Sequence, residues 1–362
     1  MMDLLYSDVE AQLRDGVRDL LARRAPVGQV LARAELGEAF DHGLWRTLAT
    51  EMGLAGMAVP ERFGGGGASL RESAVVLEEL GRGIAPVPFL SSAVVATAAL
   101  MACTEADLLT KLAAGDCVAV LAVPFSTAPG DPARPMVTVD SGRLSGRVTT
   151  VADALGADVL LVPAGAALYA VDATAEGVAR TGVVSLDLTR PLADLAFDGA
   201  AGRLLADGPA AASAVSGALT AGAALLASEQ LGVAEWCLQT TVEYVKTRHQ
   251  FGRPVGSFQA LKHRLADVWA DITQARAVAR YAAGCAATGD ADLSVAAALA
   301  QAHCSPVAVR AAEECVQMHG GIGFTWEHPA HLFLKRAKST ALAYGTADRH
   351  RQALGTLVDL PP

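Results

Sequence analysis

From about residue 211 to its end the chain is almost unbroken Ala- and Leu-rich helical texture, interrupted only at 252–256, 288–290 and 320–325. Long helices of small aliphatic side chains must bury their apolar stripes on one another. That requirement narrows the fold more than any other feature. The whole chain agrees with it: 52% of its 362 residues are hydrophobic and only 5% aromatic, the profile of helix packed on helix.

The first third reads the same way. Val9, Leu13, Val17 and Leu21 recur at four-residue steps, which predicts a helix. The run Pro60–Gly67 breaks the pattern, and Ser69 is placed to cap a helix over Leu70–Gly83. Helical texture on both sides of Gly64–Gly67 argues against a phosphate loop, which needs a preceding strand, and for a flexible interhelical turn. Near 117 the texture changes. Cys117–Val123, Val137–Val139, Val159–Val162, Leu168–Val171 and Val178–Val184 are short β-branched runs between Gly, Pro, Asp and Ser turns, spaced as strands of a small β-domain. The expected order is an N-terminal helical domain (1–116), a middle β-domain (117–210) and a C-terminal helical domain (211–362).

Several functions are disfavoured. A net charge of −9 and a pI near 5.4 do not suit a nucleic-acid surface. Six scattered cysteines without a C-x-x-C pair read as buried thiols in a reducing compartment. The start, Met1 to Ser7, has no basic, apolar signal pattern. Apolar runs such as Ala93–Met101 fall short of the roughly 20 residues of a membrane span. A soluble, cytoplasmic protein is expected. His328 and His331, with Glu327, share a helical spacing but lack a third ligand, so no metal site is expected.

Two segments carry chemistry. Arg248-His249-Gln250-Phe251-Gly252 leads to Phe258-Gln259, and Gln317-Met318-His319-Gly320-Gly321 leads to Phe324. Taken locally, Arg248 offsets a helix dipole and Gly252 caps the helix. Taken together, the segments supply a cation, an aromatic ring, amides and adjacent glycines, a set that suits a large, flat, anionic cofactor. They resemble the C-terminal domain of the flavin-dependent acyl-CoA dehydrogenases. Val59–Gly65 and Val76–Gly81 are similar to that family's N-terminal domain. The resemblance covers nearly the whole chain. It implies a mainly α fold with a small β-domain: an N-terminal helical domain, a middle β-barrel or sandwich and a C-terminal four-helix bundle. It also implies FAD held across a subunit interface in a tetramer. Arg248 would meet the pyrophosphate, with Phe251, Gly252 and Gln259 lining the cofactor, and Gln317, Gly320 and Gly321 would lie against the cofactor of an adjacent subunit. Electron-transfer flavoprotein is the implied redox partner.

Three elements depart from the family pattern. Val123-Pro124-Phe125-Ser126-Thr127-Ala128-Pro129-Gly130-Asp131 stands where a Thr-Glu-Pro-Gly-x-Gly-Ser-Asp type segment touches flavin and substrate, and the Trp-containing loop is replaced around Thr149–Gly156. Tyr344, before Gly345-Thr346, replaces the usual catalytic Glu, and a phenol is a poor base. The alternative Glu position, on the first long C-terminal helix, falls on Gly222, and its following Arg on Ala223. Glu229 lies about 10 Å further along that helix. The resemblance is therefore to the base-less subunit of actinobacterial heterotetrameric enzymes of steroid side-chain breakdown. Two other readings stay open: a self-sufficient homotetramer with an unlocated base, for which Glu229, Glu235 and Asp348 are the positions to test, and a non-catalytic scaffold without cofactor. The acyl group is not legible.

Overall fold

The computed structural model describes residues 3–37, 40–131 and 136–360. Helices α1 (Asp8–Arg24), α2 (Val27–Glu35), α3 (His42–Arg46) and α4 (Leu70–Arg82) come first, then α5 (Thr97–Ala102), entered through a π-wound stretch at Phe89–Ala96, and α6 (Ala106–Ala114). Ser69 caps α4 as expected, in a reciprocal capping box with Glu72. The glycine run is not the flexible turn its composition suggests. Gly64 to Gly67 donate in succession to the carbonyls of Glu61, Pro60, Gly56 and Val59, and a Cβ on Gly65 would sit 2.1 Å from the Val59 oxygen.

Strands β1 (Ala119–Leu121), β4 (Val159–Ala164), β5 (Ala167–Asp172) and β8 (Arg203–Asp207) form one four-stranded sheet; β2 (Val137–Asp140), β3 (Arg143–Ala152), β7 (Leu192–Ala201) and β6 (Val178–Val183) form another. The two lie face to face. Leu160 and Val162 join Leu144, Val148 and Leu195 in the core between the sheets, while Leu161 and Leu121 join the helical core behind, the period-2 alternation of a strand covered on both faces. The expected β-barrel or sandwich resolves as a sandwich; no closed barrel forms among the described residues.

The remainder is α7 (Gly208–Thr247), the hairpin β9 (His249–Gln250) and β10 (Arg253–Pro254), α8 (Gln259–Thr288), α9 (Leu293–His319), α10 (Ala330–Thr340) and α11 (Ala347–Leu357). The 40-residue α7 is long and apolar enough to cross a membrane, which the search for apolar runs missed; 67% of its most apolar window is buried inside the protein. It crosses α4 with backbones touching. A Cβ on Gly232 would lie 1.9 Å from the Glu78 oxygen, and one on Gly81 would lie 2.1 Å from the Glu229 oxygen.

Glu78, at that crossing, is 3% exposed and accepts from the Tyr6 hydroxyl. Burial, helped by Glu235, raises its carboxyl from 4.5 to about 7, against Tyr6 and Arg280, which lower it. The folded chain thus keeps a proton that the unfolded chain releases, so stability falls as pH rises from about 4.5 to about 7 and then levels off. The expected loss is on the order of 3 kcal/mol. Glu78→Gln keeps an acceptor for Tyr6 and removes the titration. Urea unfolding at pH 5 and pH 7.5 should show a flatter dependence in the variant; equal slopes in both proteins would refute the assignment.

Candidate functional site

The sequence-predicted residues gather at one end of the C-terminal helices. Helix α7 ends at Thr247, with Arg248 as its C-cap in extended conformation. Gly252 does not cap that helix. With Phe251 it forms the two-residue tip of the β9–β10 hairpin, at φ +76° and +54°, the twist that short hairpins require. The tip holds the Phe251 ring 89% exposed, edge-on to Phe258 at 6.0 Å, while Arg253 stacks over Phe258 at 4.0 Å. Arg248 is exposed, and its side chain makes no hydrogen bond or ion pair with the described residues. Gln259 is exposed at the first turn of α8.

The second motif meets the first through a ring contact. The Arg248 N–H donates to the Tyr244 carbonyl one turn back, and the Tyr244 ring stacks on His319 at 4.3 Å. His319 is buried; its Nδ1 donates to the Cys315 carbonyl at 2.7 Å. His328 lies against its other side at 4.2 Å, and burial together with His319 and His331 pushes His328 down to about 4. Gln317, Gly320 and Gly321 are exposed. Gly320 holds φ +63°, ψ −142°, a conformation that L side chains avoid, and an added Cβ on Gly320 or Gly321 would meet open space. Among the described residues, this end of the molecule therefore offers an unpaired guanidinium, an exposed ring, two free amides and bare glycine backbone. The set fits one end of a flat, anionic dinucleotide.

The three departures from the family pattern converge on a second place. Phe125 and Tyr344 pack edge-to-face at 5.6 Å, and the Tyr344 N–H donates to the Phe125 carbonyl at 2.8 Å. Both line a small cavity with Ala152, Ser91 and Leu219, with a volume of about 20 Å³, room for roughly one water. Behind Tyr344 runs the bare backbone of α7 at Gly222, where a Cβ would stand 3.1 Å from the phenol Cζ. The two places where the family pattern puts a base are therefore the same place, and neither bears a carboxylate. Tyr344 is 5% exposed, and burial pushes its phenol well above the usual range.

The carboxylates that stayed open as bases are committed to other contacts, and Asp153, beside the cavity, accepts from the Ser91 hydroxyl at 2.6 Å. Glu229 is 2% exposed, gripped by Arg190 at 2.6 Å and Arg336 at 2.9 Å. Arg336 also donates to Asp187 at 2.6 Å and to the Thr189 carbonyl and hydroxyl. This cluster ties the loop before β7 to the bundle. Sequence reading found Glu229 but not Asp187, Arg190 or Arg336, because partners separated by 39 to 149 positions leave no local spacing. Glu235 pairs with Arg276 at 2.7 Å, and Asp348 is on the surface beside Arg351. His328 and His331 join no group of three metal-ligating side chains among the described residues. Five of the six cysteines are buried and all are free.

Two profiles of one family match the chain: the acyl-CoA dehydrogenase N-terminal domain over residues 7–116 and the acyl-CoA dehydrogenase C-terminal domain over 212–357. An acyl-CoA dehydrogenase of Mycobacterium tuberculosis, IpdE2, is 38% identical over 331 residues, 91% of each chain. Among solved structures, the ChsE4–ChsE5 complex from Mycobacterium tuberculosis superposes with a TM-score of 0.88 at 30% identity, covering 100% of both chains. A variant of the Tcur3481–Tcur3483 steroid ACAD gives 0.85 at 33% identity, covering 97% of this chain and 98% of that one.

Proposed function

The chain belongs to the acyl-CoA dehydrogenase family, and from that premise we propose that it is the partner subunit of a hetero-oligomeric enzyme, completing a flavin site without performing the chemistry. One observation carries the reading. Gly222, at the plugged pocket, and Arg248, at the exposed motif, are 26 residues apart on one continuous helix, about 39 Å at 1.5 Å per residue. That span exceeds a fully extended flavin dinucleotide, so the two places serve different cofactor molecules.

FAD, when bound, supplies the hydride acceptor for α,β-dehydrogenation of an acyl-CoA thioester. This chain's part would be to hold it: Arg248 would pair with the diphosphate, Phe251 would pack against the cofactor, Gln259 and Gln317 would satisfy polar edges, and Gly252, Gly320 and Gly321 would admit close approach. A homologous subunit brings the general base. Similarity to two assemblies named as pairs of chains, one called a steroid ACAD, supports a steroid- or lipid-derived acyl group for the assembly. Electron-transfer flavoprotein is its proposed electron acceptor, and the cytoplasm its proposed location.

The test is co-purification with the product of an adjacent dehydrogenase gene, measuring flavin content and acyl-CoA turnover. The mixed assembly should be yellow and active. The chain alone should turn over at least about 10²-fold more slowly, the contribution of a general base. A full flavin complement with turnover on this chain alone sinks the proposal.

A further inference from the structure

We propose that Cys237 and Cys315 form a redox-active dithiol, closed to a disulfide by hydrogen peroxide, in the seam between α7 and α9. Two contacts set the register of these helices. The Gln301 amide of α9 donates to the Ala223 carbonyl of α7 at 2.7 Å, and His319 of α9 stacks on Tyr244 of α7. Both partners advance together, so the helices run parallel. Cys315, one turn before His319, then falls opposite the turn from Cys237 to Thr241. The side chains agree: the Cys237 thiol and the Thr241 hydroxyl both lie against the Cys315 sulfur. His319 Nδ1 stands 3.7 Å from that sulfur.

Burial selects the oxidant. Both cysteines are 0% exposed, which shuts out glutathione disulfide and other proteins and admits a small, uncharged peroxide. Cys315 starts the last turn of α9, ahead of Gly320, and a terminal turn opens at lower free energy than a helix centre. The thiolate is the nucleophile in such oxidations. Hydrogen bonding from Cys237, with His319 and Thr241 adding to it, outweighs burial and holds the Cys315 thiol below its usual range, while burial pushes Cys237 up. The roles follow from that difference. The Cys315 sulfur attacks one peroxide oxygen; the S–O bond forms as the O–O bond breaks, and the hydroxide released leaves as water with the proton the Cys315 thiol gave up. The Cys237 sulfur then attacks the sulfenic sulfur. The S–S bond forms as S–O breaks, and hydroxide takes the Cys237 proton as a second water. The thiols lose two electrons and two protons, and one peroxide becomes two waters.

The dithiol is read without flavin or turnover, so its failure is separate from failure of the partner-subunit reading. The purified full-length chain is treated with hydrogen peroxide under native conditions, quenched with catalase and alkylated in denaturant. Two of the six free thiols should disappear. A non-reduced peptide map should show Cys237 linked to Cys315, and dithiothreitol should restore both. Cys304 is the control: it is also buried, its sulfur donates to the Ala275 carbonyl at 3.4 Å, and burial pushes its thiol up to about 12. It should be lost at least about tenfold more slowly than Cys315. Cys237→Ser keeps a hydrogen-bond donor but cannot close the disulfide, so dimedone should trap a sulfenic acid at Cys315. Cys315→Ser should leave Cys237 reduced. The map of the unaltered chain decides the matter if either variant fails to fold. Retention of all thiols, linkage through any other cysteine, loss of Cys304 as fast as Cys315, or a folded Cys237→Ser protein without a dimedone adduct would each overturn the proposal.

Discussion

Arg336→Met is expected to cost on the order of 3–5 kcal/mol of stability, the loss that follows when one member of a buried ion cluster is removed and its partners stay behind. Arg336 is 1% exposed and donates to Asp187, Glu229 and Thr189 at 2.6 to 2.9 Å. Methionine fills much of the volume but leaves the Asp187 carboxylate without its guanidinium and Glu229 with Arg190 alone. Arg336→Lys should recover only part of the loss, because one ammonium cannot reproduce the planar fork. The cluster also fixes a pH dependence. Burial raises the Glu229 pKa, but Arg190 and Arg336 outweigh it and hold the carboxyl below its usual 4.5. Its contribution is therefore present above about 4.5 and lost as pH falls through the lower, folded value. Urea unfolding at pH 7 and at pH 4 measures both effects. A loss below about 1 kcal/mol at pH 7 would place the cluster among ordinary surface pairs.

The second large effect falls on flavin and spares the fold. In the mixed assembly Arg248→Ala should weaken FAD by about 30-fold or more, since truncating one side of a desolvated charge pair costs about 2–5 kcal/mol. The same change should move unfolding by no more than about 0.5 kcal/mol, because the side chain is exposed and unbonded within the chain. Phe251→Ala should follow it, its ring being 89% exposed. Arg253→Ala is the control from the same hairpin: its guanidinium is spent on Phe258, so flavin affinity should hold. Flavin fluorescence titration of the assembly, paired with thermal unfolding of the chain, reads both quantities. Equal flavin affinity in the Arg248 variant would remove this motif from the cofactor surface.

Helices announced themselves through period and caps: Ser69 and the breaks near 252, 288 and 320 fall where α4, α8 and α9 begin or end. The β-sandwich was half legible. Its Val-rich strands were found, but β3 and β7, the central pair of one sheet, and β8, at the edge of the other, were missed. Leu192–Ala201 is mostly Ala, Asp and Gly, residues of low strand propensity, although Ala193, Leu195 and Phe197 alternate inward. Propensity hid what alternation would have revealed. At the cofactor surface the motif residues were legible because family spacing is local. The plugged pocket was not. Phe125, Ala152, Gly222 and Tyr344 are distant in sequence, and the three departures turn out to be one packing event around a single cavity.

The contact between Gly222 and Tyr344 also sets the order in which a carboxylate could be built into this pocket. The phenol lies so close to α7 that any side chain at 222 would strike it or Val95. A carboxylate cannot return there while the tyrosine stays. One regained at position 344 would enter a buried space closed by Phe125, with the neighbouring carboxylates Asp153 and Glu229 opposing its charge. Placing one thus requires the ring to be cleared first, a step that opens a void in the core. The packing acts as a lock: a carboxylate can stand in this pocket only after the phenol is removed and the void it leaves is refilled.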